Sequence, residues 1–205
     1  MNDKDFKAVQ SYISDVGTLA ERAIRTDKAR RKRGEKIYCS RLNVPYLEEC
    51  YIINPDGQKG ICSIVIRYGN RYYYCDTFYQ VDGTTILNVN VFTSHFLERY
   101  RCRNNMYATS IENVLFDIVK NSTMNTQAHT ERFDRALVMN NNCCIPVQVE
   151  RIFVKGQRIM VTTYITYLNE QDKKVRNLGI AAQNVDNEVN KMFDEDTIKN
   201  TKIYV

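Results

Sequence analysis

From position 93 to 103 the chain reads Thr93-Ser94-His95-Phe96-Leu97-Glu98-Arg99-Tyr100-Arg101-Cys102-Arg103. On a helix, residues four and eight apart lie within about 80° of one another, so His95, Arg99 and Arg103 share a face. Two guanidiniums and an imidazole crowded together repel unless an anion sits among them. A guanidinium offers a planar fork of donors that matches a phosphate and stays charged at every relevant pH. An imidazole titrates near neutrality and can take or give a proton. That combination is what metal-free cleavage of RNA requires. A base activates the ribose 2′-hydroxyl, the guanidiniums neutralise the phosphorane, and an acid protonates the leaving oxygen. In this reading His95 is the general acid or base, and Arg99 and Arg103 are the phosphate clamp. Arg99, one turn from His95, is favoured over Arg103, which stands beside Asn104-Asn105. The bland alternative makes His95 a helix-start residue bonded to backbone and pairs the arginines with Glu98, Glu112 or Asp117.

A second feature is electrostatic. Lys28, Arg30, Arg31, Lys32, Arg33 and Lys36 fall within nine residues, enough to release several counterions from a nucleic acid and add nonspecific affinity. The plainer reading is a solvated helix end. Arg71-Tyr72-Tyr73-Tyr74 and Phe78-Tyr79 interleave aromatics with a cation. Such a run can stack bases, but it reads better as cross-strand packing. No P-loop, His-Glu-x-x-His, Gly-x-Ser-x-Gly or dinucleotide fingerprint occurs. There is no Cys-x-x-Cys, and His95, Cys102 and His129 make a poor zinc set, because seven residues separate the first two. Neither metal nor cofactor is expected.

The elements that must position these residues follow from periodicity. Residues 5–33 read as an amphipathic helix with Phe6, Val9, Ile13, Val16, Ala20, Ala23 and Ile24 as its stripe. The basic cluster sits at its C-terminal end, where cations suit the dipole, and Gly34 stops it. Residues 35–60 look irregular, with turns at Pro45 and at Asn54-Pro55-Asp56-Gly57. Strands are predicted over 61–68, 71–81 and 84–93, turned at Gly69-Asn70 and Asp82-Gly83. A helix over 95–103 is capped by Thr93 or Ser94. A second helix covers 110–121, with Ile111, Val114, Leu115, Ile118 and Val119 buried, and a weaker one covers 128–139. Strands over 144–154 and 158–168 form a hairpin at Lys155-Gly156, and the polar tail reads as helical. The expected class is α+β, an antiparallel sheet (meander plus C-terminal hairpin) with helices packed on it. Three regions are expected: an N-terminal basic amphipathic helix (1–36), a core domain (37–168) and a C-terminal tail (169–205).

His-x3-Arg-x3-Arg at the start of a helix, after a strand-ending Thr, resembles short phage and mobile-element proteins distantly similar to the barnase-like and RelE-like ribonuclease toxins. The helix over 110–121 and the later strand pair ending Val161-Thr162-Thr163-Tyr164-Ile165 keep the same order. The likeness spans about 90–166. It implies an endoribonuclease whose site is completed by a polar residue on the last strand, which makes Thr163 and Tyr164 candidates. The helix of 5–33 and the meander are longer than a minimal toxin of that kind requires.

Composition frames these readings. The 205 residues are 43% hydrophobic and 26% charged, with a net charge of +5, ordinary for a globular chain and tolerant of an anionic partner. No apolar run approaches the ~20 residues of a membrane span. Seven cysteines, an odd number with no leader-like N-terminus, imply reduced thiols and a cytoplasmic setting in a bacterial host cell. The function expected is that of a metal-independent RNA-binding, ribonuclease-like protein of a bacterium or phage, with RNA or another anionic ligand as partner and no membrane. The rival is a non-catalytic phage-encoded assembly or regulatory factor that meets a protein partner through the 5–33 helix.

Overall fold

A computed structural model describes residues 2–34, 38–55, 63–81, 84–121, 125–128, 135–139 and 143–169. Its centre is the expected meander: β3 (Ser63–Tyr68), β4 (Arg71–Val81) and β5 (Thr84–Phe92), each antiparallel to the next. Gly69 turns β3 into β4 at φ +60°, a conformation that a residue without Cβ adopts freely. The C-terminal hairpin also forms, from β8 (Cys143–Val154) and β9 (Gln157–Tyr164). Lys155 and Gly156 both have positive φ there, as a tight turn matched to strand twist requires.

The two halves join by a parallel pairing of β5 with β9, Leu87 opposite Ile159 through Phe92 opposite Tyr164. The result is one open sheet in the order β1 (Cys39–Arg41), β2 (Glu49–Ile53), β3, β4, β5, β9, β8, β7 (Arg135–Met139), β6 (Asn125–Ala128), with β10 (Leu168–Asn169) on β8. The class is α+β and the sheet is mostly antiparallel.

Two expectations need correcting. The stretch 35–60 is not merely irregular: β1 (Cys39–Arg41) and β2 (Glu49–Ile53) extend the meander. Cys50, Tyr51, Ile52 and Ile53 are all buried because the strand is covered on both faces. The helix expected over 128–139 is also wrong. The chain forms β6 (Asn125–Ala128) and β7 (Arg135–Met139) instead. Ala136, Leu137 and Met139 favour helix as isolated residues, but β7 pairs with β8 from Arg135–Val147 to Met139–Cys143, and the ladder overrides that preference. The Asp82-Gly83 turn and the tail expected beyond 169 lie outside the described residues.

The first helix, α1 (Asp3–Lys32), is capped by the Asn2 side chain, which accepts from the Asp5 amide at 3.0 Å. Its buried line is Val9, Tyr12, Leu19 and Ala23, packed on Ile52, Ile64, Ile66, Tyr73, Val89 and Val91. Burial of Leu19 alone contributes about 1.5–3 kcal/mol. Tyr12 donates to the Ile64 carbonyl at 3.0 Å and accepts from the Cys75 amide at 2.7 Å. It thereby satisfies the backbone where β4 shifts register between Cys75 and Thr77. The helix is therefore a layer of the same body, and its apolar stripe lies on the sheet except at Ile24, which is exposed.

The opposite face carries α2 (Ser94–Arg103) and α3 (Ile111–Asn121). There Phe92, Phe96, Tyr100, Tyr164 and Tyr167 form an aromatic cluster, with Phe92 and Tyr164 at 4.9 Å and Tyr100 and Tyr167 at 4.8 Å between ring centres. Tyr100 ties the two helices by donating to Asp117 at 2.7 Å. Among the described residues no helix is long and apolar enough to cross a membrane.

Candidate anion-binding cleft

Helix α2 begins where β5 ends, and one threonine fixes the junction. The Thr93 hydroxyl accepts from the Phe96 amide at 3.1 Å and donates to the Tyr164 carbonyl at 3.0 Å. It caps the helix and ties it to the end of β9. Phe96, Leu97 and Tyr100 turn into the core. Ser94, His95, Glu98 and Arg99 are consequently exposed.

Those exposed residues line a cleft of about 700 Å³. Arg67, Asn70 and Tyr72 of the β3–β4 hairpin form a second wall, and Tyr107 and Ile111, beyond the end of α2, close a third side. His95 reaches Thr166, with Nε2 3.4 Å from the hydroxyl. Arg101, also in the wall, donates to the carbonyls of Tyr107 at 2.7 Å and Thr109 at 3.1 Å. Among the described residues neither Arg99 nor Arg101 pairs with a carboxylate. The unpaired first-turn amides of α2 add partial positive charge at His95.

On the hairpin wall the Arg67 guanidinium is taken up by two carboxylates, Glu49 and Glu48. Glu49 accepts from Tyr51 and Tyr72, both at 2.7 Å, and from Arg67. Arg67 also stands 3.6 Å from Glu48 and lies over the Tyr72 ring at 5.9 Å. Burial opposes ionisation of Glu49, but the hydrogen bonds from Tyr51, Tyr72 and Arg67 outweigh it and hold the carboxyl below its ordinary value. Burial, followed by the bond to Glu49, pushes both tyrosine hydroxyls up, so they remain donors. On the α2 side of the cleft, Arg99 and Arg101 outnumber Glu98, so the positive charge is local to that wall.

Of the five residues expected in a catalytic set, His95 and Arg99 meet in this cleft. Arg103 is not among its lining residues. Thr163 and Tyr164 do not join them. Tyr164 faces α2 but is buried, its ring 5.2 Å from Phe96, and does not line the cleft. Thr163 points through the other face of the sheet, because side chains alternate along a strand. It lines a separate polar hollow with Asp5, Arg71 and Glu150 beside α1.

The basic cluster is likewise divided. Lys28, Lys32 and Arg33 are exposed at the end of α1, and Arg30 is half-buried. The Arg31 guanidinium is held by buried Asp27 at 2.7 Å. Lys36 lies outside the described residues, as does His129. Tyr72, Tyr73 and Tyr74 are buried as cross-strand packing. Sequence reasoning missed Arg67, Asn70, Arg101 and Tyr107 as parts of the cleft, and Thr166 as the neighbour of His95. The signal for Asn70 was its place at the hairpin tip, and for Arg101 the knot of alternating arginines.

No protein-family model, no curated protein and no solved structure matches the chain.

Proposed function

We propose that this protein binds RNA through phosphates lodged in the α2 cleft, with Arg99 as the principal contact and His95 beside it at the helix start. The observation that carries the reading is the Arg99 guanidinium. It is exposed on a concave wall, has no carboxylate partner among the described residues, and stands one turn beyond His95 on α2. An Arg so placed can present its two-point fork to a phosphate without first breaking an ion pair.

Binding rather than cleavage is the reading these contacts favour. Metal-free cleavage needs two proton carriers on opposite sides of the phosphorus, and of the residues expected to supply them only His95 faces the cleft. We place the activity in the bacterial cytoplasm, a setting in keeping with the free thiols of Cys39, Cys50 and Cys102.

The test is incubation of the full chain with bulk RNA in chelator, read both for retention and for RNA length, beside His95→Ala and Arg99→Ala. Salt-sensitive retention of intact RNA, weakened in Arg99→Ala, is expected. Cleavage by the parent chain that disappears in His95→Ala would replace binding with the ribonuclease reading. Failure to retain RNA at low salt would overturn both.

A further inference from the structure

Tyr107 is an anomaly in the cleft. Its side chain is 65% exposed, yet it is fixed at both ends. Arg101 holds its carbonyl at 2.7 Å, and the Met106 amide beside it donates to the Arg101 carbonyl at 2.8 Å. The phenol oxygen stands 2.7 Å from the sulfur of Cys102. An aromatic ring buried in a core is fixed by packing; here backbone and hydroxyl are tied while most of the ring meets solvent. Cys102 is three residues beyond Arg99 on the same helix, so the ring is anchored about one turn from the guanidinium. Ile111 supplies apolar surface in the same cleft.

We infer that the cleft takes single-stranded RNA, with one base stacked on Tyr107 and the adjoining phosphate on Arg99. This rests on the reading of the cleft as an RNA site. A ring held in place before binding loses little conformational entropy when a base stacks on it. Every base has a π-face, so the platform is tolerant of sequence. In an A-form duplex the base faces are hidden within the stack, so only an unpaired base can use it. Stacking of this kind, at about 1–3 kcal/mol per base, corresponds to roughly 5- to 150-fold in affinity.

The experiment measures dissociation constants of the full chain for three fluorescent oligomers of equal length: single-stranded RNA, the same RNA as a duplex, and an abasic ribose-phosphate chain. Tyr107→Ala should weaken the single strand roughly 5- to 150-fold and leave the abasic chain unchanged. Tyr107→Phe, which keeps the ring and loses the contact with Cys102, should weaken the single strand by less than Tyr107→Ala does, since stacking remains and only the tie is lost. Arg99→Ala should weaken all three oligomers. If Tyr107→Ala binds the single strand like the parent while Arg99→Ala does not, stacking is overturned and the cleft reading stands. Equal weakening of the abasic chain by Tyr107→Ala would show that the ring acts only by shaping the loop, which also overturns stacking. Duplex binding as tight as single-strand binding overturns the strand preference. Absence of binding to any oligomer overturns the inference together with the reading beneath it.

Discussion

Nε2 of His95 and the hydroxyl of Thr166 stand 3.4 Å apart across 71 positions of sequence. They meet because β9 runs parallel to β5, so that both strands end beneath the start of α2. His95 leaves the end of β5 through the Thr93 cap, and Thr166 leaves the end of β9 through Tyr164 and Ile165. The parallel pairing, rather than the local helix, gives the imidazole its neighbour.

Thr93 is the structural hinge of that meeting, since one hydroxyl both caps α2 and holds β9. Thr93→Ala should cost about 1–2 kcal/mol in denaturant unfolding. Thr93→Ser keeps both bonds and should recover most of the loss. Equal losses in the two variants would show that the methyl group, not the hydroxyl, carries the effect.

Glu49 should make part of the stability dependent on acid. Its carboxyl is held below the ordinary value of 4.5 in the folded chain, so the folded state binds a proton there less readily than the unfolded one. The stabilisation is complete above that ordinary value and fades as the pH falls through the lowered one. Urea midpoints of the parent and Glu49→Gln should differ most near neutral pH and converge on acidification. A difference that stays constant through the acid range would contradict the assignment.

Gly17 is exposed in the middle of α1, and a Cβ built there meets nothing within 4 Å. Gly17→Ala should therefore stabilise by about 0.5–1 kcal/mol, a rise of roughly 2–4 °C in Tm at most for a chain of this size. A fall in Tm would mean that the helix needs the glycine.

Much of this architecture was legible before any coordinates, for identifiable reasons. α1, α2 and α3 announce themselves by steps of three and four, and β3, β4, β5, β8 and β9 by alternation and by glycine turns. β7 did not, because Ala136, Leu137 and Met139 lack a strand-like alternation and only the partner strand decides their state. Asp27 was read past for a related reason: helical spacing puts it in line with Ala23, but a carboxylate at a buried position makes sense only once Arg31 closes on it. In the cleft, His95 and Arg99 follow from helix geometry. Arg67 and Asn70 come from a hairpin some thirty residues earlier, a long-range approach with no local signature. Thr163 and Tyr164 show the limit most clearly. Strand parity separates them to opposite faces, and the sequence alone does not say which face α2 covers.

If the chain binds RNA, the exposed cations at the end of α1 should add a second, weaker contact. α1 packs on the sheet face opposite α2, so its contribution should be nonspecific and additive. Changing Lys28, Lys32 and Arg33 to Gln together should flatten the dependence of log K on log salt by about two. It should also leave any single-strand preference intact. Arg31 is left in place because its guanidinium is held by Asp27. An unchanged slope would mark the cluster as a solvated helix end.

The most direct test of the account is the salt dependence of RNA affinity in Arg99→Gln. The substitution removes one charge from an exposed side chain that supports no described ion pair, so the fold should be untouched. Log K plotted against log salt should lose a slope of about 0.7–1, the counterion released at one phosphate contact, with affinity falling alike for every RNA sequence. An Arg99→Gln chain that binds RNA with the parent's affinity and slope would show that no phosphate occupies the α2 cleft.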